Sequence, residues 1–245
     1  VKGPFLTWQP KVKKLTRDMP DHLYWLQNVD AGTITITVRY VISYINASTL
    51  VEETKNMDKT ISLKAYEMAC IPLRVNALNP VNGGYSTDYI LKFTVQVLYA
   101  AGGYASEIRT YNQFNSSVSQ SYQTPDAAPT DTPIYIKFLN SFGVWDTLRL
   151  YGKIKQSTET EHITASFDRR LGLVDIEGFD KLEVNTGALD QNWLRYMEQL
   201  LYSRKIYQIT PKGNRELILQ SNNLDTFTTL APNESANFEF RYAEQ

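Results

Sequence analysis

The stretch from Thr33 to Ile45, TITITVRYVISYI, constrains this chain more than any other. Ile34, Ile36, Val38, Tyr40, Ile42 and Tyr44 fall on one side of an extended backbone, with Thr33, Thr35, Thr37, Arg39 and Ser43 on the other. Period-two alternation of β-branched and aromatic residues is the pattern of a half-buried strand. Residues 88 to 99, DYILKFTVQVLY, repeat it, with Tyr89, Leu91, Phe93, Val95, Val97 and Tyr99 on one face and Lys92, Thr94 and Gln96 on the other. Two long strands with one solvated face each predict an antiparallel sheet, because parallel strands are usually buried on both faces. Gly83-Gly84 and Gly102-Gly103 bracket the second strand and supply the positive φ that hairpin turns require.

Residues 123 to 133, QTPDAAPTDTP, hold three prolines and no large apolar side chain, which predicts a boundary. We expect an N-terminal β domain with an N-terminal arm over 1–125, and a C-terminal β domain over 126–245. In the second, strand-like runs occupy 134–139, 145–154 and 161–167. A helix follows near 190–202, where Trp193, Leu194, Met197, Leu200 and Leu201 form one apolar stripe behind an Asp190 N-cap. Pro211-Lys212-Gly213-Asn214 separates two further strands as a hairpin turn, and closing strands are expected at 226–230 and 237–242. The fold class is therefore mainly β: antiparallel β-sandwich or barrel domains with one packed α-helix in the C-terminal half.

Twenty-five basic and 26 acidic side chains give a net charge of −1, which offers no global attraction for nucleic acid or anionic lipid. The one basic cluster, Lys11, Lys13, Lys14 and Arg17, is offset by Asp18 and Asp21 and reads as a solvated arm. Residues 1–25 either order against a neighbouring molecule or lie across their own domain, and the sequence leaves both open. No segment approaches the roughly 20 apolar residues of a membrane span. The stretch VKGPFLTWQPKVKK has no apolar region of the signal-peptide kind.

The chain shows no pattern for catalysis, for a metal or for a cofactor. His22 and His162 are the only histidines and have no second ligand at zinc spacing. Cys70 is the single cysteine, so no internal disulfide forms, and its apolar neighbours predict a small buried hydrophobe. Asp175, Glu177 and Asp180 in VDIEGFD lack the spacing of a calcium loop and read as a turn. Nucleophile-elbow, phosphate-loop and dinucleotide-binding glycine motifs are missing. Three Asn-x-Ser sequons, at Asn46, Asn115 and Asn233, are no more than chance supplies.

The aromatic side chains remain. In LNSFGVWDTLRLYGK, at 139–153, Ser141-Phe142-Gly143-Val144 is either a loop displaying aromatic groups or a bend feeding a strand. Val144, Asp146, Leu148 and Leu150 share one phase of that strand, and Trp145, Thr147, Arg149 and Tyr151 the other. The leucine face is expected to be buried, which makes Phe142-Gly143 a bend and puts Trp145 at a contact surface. Trp8, Trp25 and Trp145 are the candidate contact residues.

Three segments carry a family resemblance: FLTWQP with MPDHLYWL near the start, IKFLNSFGVWDTLRLYGK at 136–153, and VNTG through WLRYMEQLLYSRKIY to ELIL at 184–219. In that order the chain resembles tail-associated structural proteins of phages and prophages of Bacteroides-type bacteria. The resemblance implies a non-enzymatic virion protein of the tail, tail-tip or baseplate region, with no cofactor. It implies partners that are copies of itself and other virion structural proteins, assembled as rings. The competing expectation is a carbohydrate-binding or receptor-binding module that presents Trp8, Trp25 or Trp145 to a surface glycan.

Overall fold

We analysed a computed structural model that describes residues 5–16, 19–28, 32–46, 48–74, 78, 90–100, 103–114, 134–150, 152–167, 170–186, 191–221 and 235–243. The chain divides into two compact units: residues 1–125 with 140–147, and residues 126–139 with 148–245. The division at 125/126 is where the prolines place it, but Asn140–Thr147 belongs to the first unit. The proline-rich segment itself lies outside the described residues, as do Gly83-Gly84, Gly102, Asp190 and 226–230.

In the first unit, β1 (Val12–Thr16), β7 (Arg109–Phe114), β6 (Ile90–Tyr99), β3 (Ile34–Ile45) and β4 (Glu52–Leu63) form a five-stranded sheet in that order. β2 (His22–Leu26) and β5 (Met68–Pro72) form a separate antiparallel ribbon. The alternation of β3 holds: Ile36, Val38, Tyr40, Ile42 and Tyr44 are buried. Tyr40 reaches from β3 to the ribbon, where its hydroxyl donates to Pro72 O at 3.1 Å. Trp25 of β2 meets the Tyr99 ring of β6 edge-on at 6.3 Å. Ribbon and sheet thus form the two layers of a sandwich-like core, in which each fully buried large side chain is worth roughly 1.5–3 kcal/mol.

Four sequence expectations change here. The alternation of β6 breaks at Leu91, because Ser43 pairs with Lys92 and Tyr44 with Ile90, so that Leu91 is the extra residue of a β-bulge. The bulge shifts the phase, burying Ile90 and exposing Leu91. The pairing of β1 with β7 is parallel, unlike the rest of the sheet. Cys70 is exposed, because β5 buries Ala69 and Ile71 and turns the intervening side chains outward. The Lys11–Arg17 segment is no solvated arm: β1 is a sheet strand and Lys13 is buried on its inner side. Phe5 is likewise buried in a bridge to Trp25, so the described part of residues 1–25 packs within its own unit.

In the second unit a seven-stranded sheet runs β10 (Ile154–Phe167), β11 (Arg170–Asn185), β14 (Asn237–Tyr242), β13 (Gly213–Leu219), β12 (Ile206–Thr210), β8 (Ile134–Leu139), β9 (Trp145–Leu150). The β12–β13 hairpin closes at Thr210↔Gly213 around Pro211-Lys212, with Gly213 at φ 129°. One helix, α1 (Gln191–Leu201), packs on the sheet through Tyr196, Met197 and Leu200 against a cluster that includes Phe138, Phe238 and Phe240. Tyr196, absent from the expected stripe, is fully buried and lies 5.7 Å from the Phe138 ring. VDIEGFD is not a turn: β11 runs straight through it.

β9 and β10 are opposite edges of this sheet, yet only residues 151–153 join them. That connection spans at most about 15 Å, whereas the edges of a flat seven-stranded sheet lie roughly 29 Å apart. The sheet must therefore curl back on itself. The turn is pinned where Gly152 N donates to Asn185 O at 3.0 Å and Asn185 N donates to Lys153 O at 2.9 Å. No ladder joins β9 to β10 among the described residues, so neither sheet is a closed barrel. Among those residues no helix is long and apolar enough to cross a membrane.

Candidate functional site: a buried polar hub under two exposed rings

The first unit brings together polar residues that no local pattern connects. Asp146 is fully buried, and its carboxylate accepts hydrogen bonds from three side chains. Thr7 Oγ1 donates at 3.0 Å, Gln9 Nε2 at 2.8 Å and Asn140 Nδ2 at 2.8 Å. Beside it, Lys13 Nζ lies 2.6 Å from Asp21 Oδ2 and donates to Thr147 O at 2.7 Å. Asp21 also accepts from its neighbour His22 N, at 2.9 Å. Arg109, likewise buried, donates to Gln9 O and pairs with Glu107.

Burial pushes the Asp146 carboxyl up from 3.8 to about 6. It outweighs the Lys13 charge and the hydrogen bonds from Asn140 and Gln9, and the Asp21 charge pushes the same way. Lys13 is one cation facing two carboxylates, so a proton on Asp146 brings the trio to neutrality. Such a set is a structural hub, since a buried charge persists only where it is paired and hydrogen-bonded.

The hub holds two aromatic rings at the surface. Trp8 sits between Thr7 and Gln9, both fixed on Asp146. Phe142 sits in a turn capped by Asn140, whose Oδ1 accepts from Phe142 N at 2.9 Å and from Val144 N at 3.3 Å. Gly143 supplies the positive φ of that turn, 76°. The two rings stack at 5.3 Å with an 18° interplanar angle, and Trp8 Nε1 donates to Ser141 Oγ at 2.8 Å. Trp8 is 51% exposed and Phe142 46%.

Of the three expected contact residues, only Trp8 is prominently exposed. Trp25 is fully buried between ribbon and sheet, which removes it as a surface contact of this unit. Trp145 is partly buried beside Asp146, and Phe142 takes the exposed place expected of it. Ser141–Val144 is thus both a bend and a display loop. Its leucine-phase residues Val144, Asp146, Leu148 and Leu150 are buried as expected. Thr7, Gln9 and Asn140 carried no chemical signal in sequence, because uncharged hydrogen-bonding residues become a set only when the chain brings them together. Their one trace was membership of the FLTWQP and FLNSFGVWDTL segments.

Among the described residues no group of His, Cys, Asp and Glu is arranged to hold a metal ion. The His22 ring lies 6.4 Å from that of Tyr24, and the side chains of His162, Asp175 and Glu177 are outside the described set. Compared with known proteins, the chain matches no family model and no curated protein.

Proposed function

We propose that this chain is a non-enzymatic structural component of a phage virion, from the tail, tail-tip or baseplate region, that assembles with copies of itself into a ring. The resemblance of its three motif segments supports the class. One structural observation supports the assembly. Among the described residues β11 pairs with β14 only from Lys181 to Asn185, whereas β10 and β11 stay paired from Ile154↔Val184 out to Phe167↔Arg170. Among those residues the part beyond Thr158↔Asp180 is a two-stranded ribbon reaching roughly 30 Å past the sheet.

A two-stranded ribbon is marginal in water by itself, because neither face nor edge is covered. The distal β10 sequence, TETEHITASF, carries Glu159 and Glu161 but neither the proline nor the lysine that commonly blunts a free edge. A bulge between Ile163 and Thr164 adds twist. Such an element gains its stability by pairing with or wrapping a neighbouring subunit, and a rotationally repeated contact of this kind closes into a ring.

Light scattering and negative-stain images of the purified chain test this. The expected result is closed rings for the intact chain. Monomers are expected when Ser157 is joined to Lys181 through an Asn-Gly turn, a change that keeps the β11–β14 pairing. A monomeric intact chain, or rings that survive removal of the ribbon, would sink the assembly reading.

A further inference from the structure

We infer that Trp8 and Phe142 form a saccharide-stacking site that takes β-linked pyranose oligomers through the apolar face of one sugar ring. The site is built from residues of the first unit, and the ribbon from residues of the second. Its first support is exposure as a stacked pair: Trp8 and Phe142 stand half in solvent, whereas the stacked Phe93–Tyr111 pair of the same unit is fully buried. Stacked at 18°, they form one flat apolar step. With one face of the indole against Phe142, the ring offers its opposite face.

The second support is rigidity. Both backbone neighbours of Trp8 are tied to Asp146 through their side chains, and Asn140 ties the Phe142 turn to the same carboxylate. The indole N–H is held by Ser141. Rings fixed in advance lose little conformational entropy on binding, which is how a rigid site gains affinity over a mobile one. A buried hub that fixes two exposed rings has the layout of a binding site with its supporting shell.

The third support is the surround. Ser141 and Gly143, on either side of Phe142, are exposed and polar or small, while the exposed Lys11 and Val12 follow Trp8 in sequence. The centre of a protein interface is apolar and packed well beyond two rings. A β-linked pyranose needs less, because the axial C–H bonds at C1, C3 and C5 form a flat apolar face for the indole while its hydroxyls stay in water. An axial hydroxyl at C4, as in galactose, projects from the other face and leaves this one apolar, so either configuration fits.

The test is titration of the isotopically labelled intact protein with cellotetraose, with tetra-N-acetylchitotetraose and with a β-1,4-galactotetraose, following the indole N–H resonances. Trp8→Phe identifies the Trp8 signal. We expect saturable movement of that signal with at least one of the three oligomers, and binding about tenfold weaker or worse for Trp8→Ala. Phe142→Ala serves as a second variant should Trp8→Ala unfold, and the same loss is expected. An unmoved Trp8 signal with all three oligomers at about 10 mM, a concentration well above millimolar dissociation constants, overturns the proposal. So does retained binding in both variants. If Trp8→Ala changes only the scattering mass, and wild type ignores the sugars, the pair is a protein contact instead.

Discussion

Lys13 Nζ and Asp21 Oδ2 lie 2.6 Å apart, with side chains 1% and 0% exposed. The ion pair sits where a seemingly basic arm meets the Met19-Pro20-Asp21 turn, and it orders both. Removing the cation alone leaves a buried carboxylate without its partner, which typically costs about 3–5 kcal/mol. Lys13→Met is therefore expected to destabilise the first unit by that amount, while a Lys13→Met, Asp21→Leu double variant recovers much of it. Denaturant midpoints of the two variants check this, and equal losses in both would argue against an unpaired charge as the cause.

Asp146 gives the first unit a pH dependence of defined sign. Its folded value of about 6 is above the ordinary 3.8, so the folded state holds this proton more tightly than the unfolded chain. The resulting stability is fully present below pH 3.8 and is lost as pH rises through about 6, a contribution of roughly 3 kcal/mol. Asp58, held low by its hydrogen bonds from Arg39, contributes in the opposite sense and at lower pH. Denaturation curves measured across this window for wild type and Asp146→Asn isolate the Asp146 part. The wild-type slope is expected to flatten in the variant; an unchanged slope would assign the dependence to other groups.

Gly152 marks the turn that joins the two edges of the seven-stranded sheet. A Cβ there would lie 2.3 Å from Asn185 O and 2.7 Å from Asn185 C, both backbone atoms that cannot swing aside. Gly152→Ala is expected to destabilise the second unit by about 1–3 kcal/mol, as overpacking usually does. A thermal melt followed by the near-ultraviolet signal of α1 and its aromatic neighbours reads this directly.

Leu50 is a non-glycine residue at φ 58° and is 75% exposed in the β3–β4 turn. Its left-handed backbone costs roughly 1–2 kcal/mol relative to a residue that tolerates it, and burial returns little at that exposure. Leu50→Asn is expected to raise the melting temperature of the first unit. A lower value would mean that the leucine side chain contributes more than its exposure implies.

The sequence alone determined what repeats locally. The alternation of β3, the apolar stripe of α1 and the Pro211-Lys212-Gly213 turn were all legible, because each rests on side chains within a few residues of one another. Where a local rule failed, a non-local pairing intervened: the bulge at Leu91 arises from the register with β3, and VDIEGFD is extended because β10 holds it. The parallel β1–β7 pair, the burial of Lys13 and the placing of Trp25 inside and Phe142 outside were decided only in three dimensions. So was the hub, since Thr7 and Asp146 stand 139 residues apart. Periodicity reports which face of an element is apolar; it carries no information about which distant element will cover that face, or which polar groups must then find one another to leave water together.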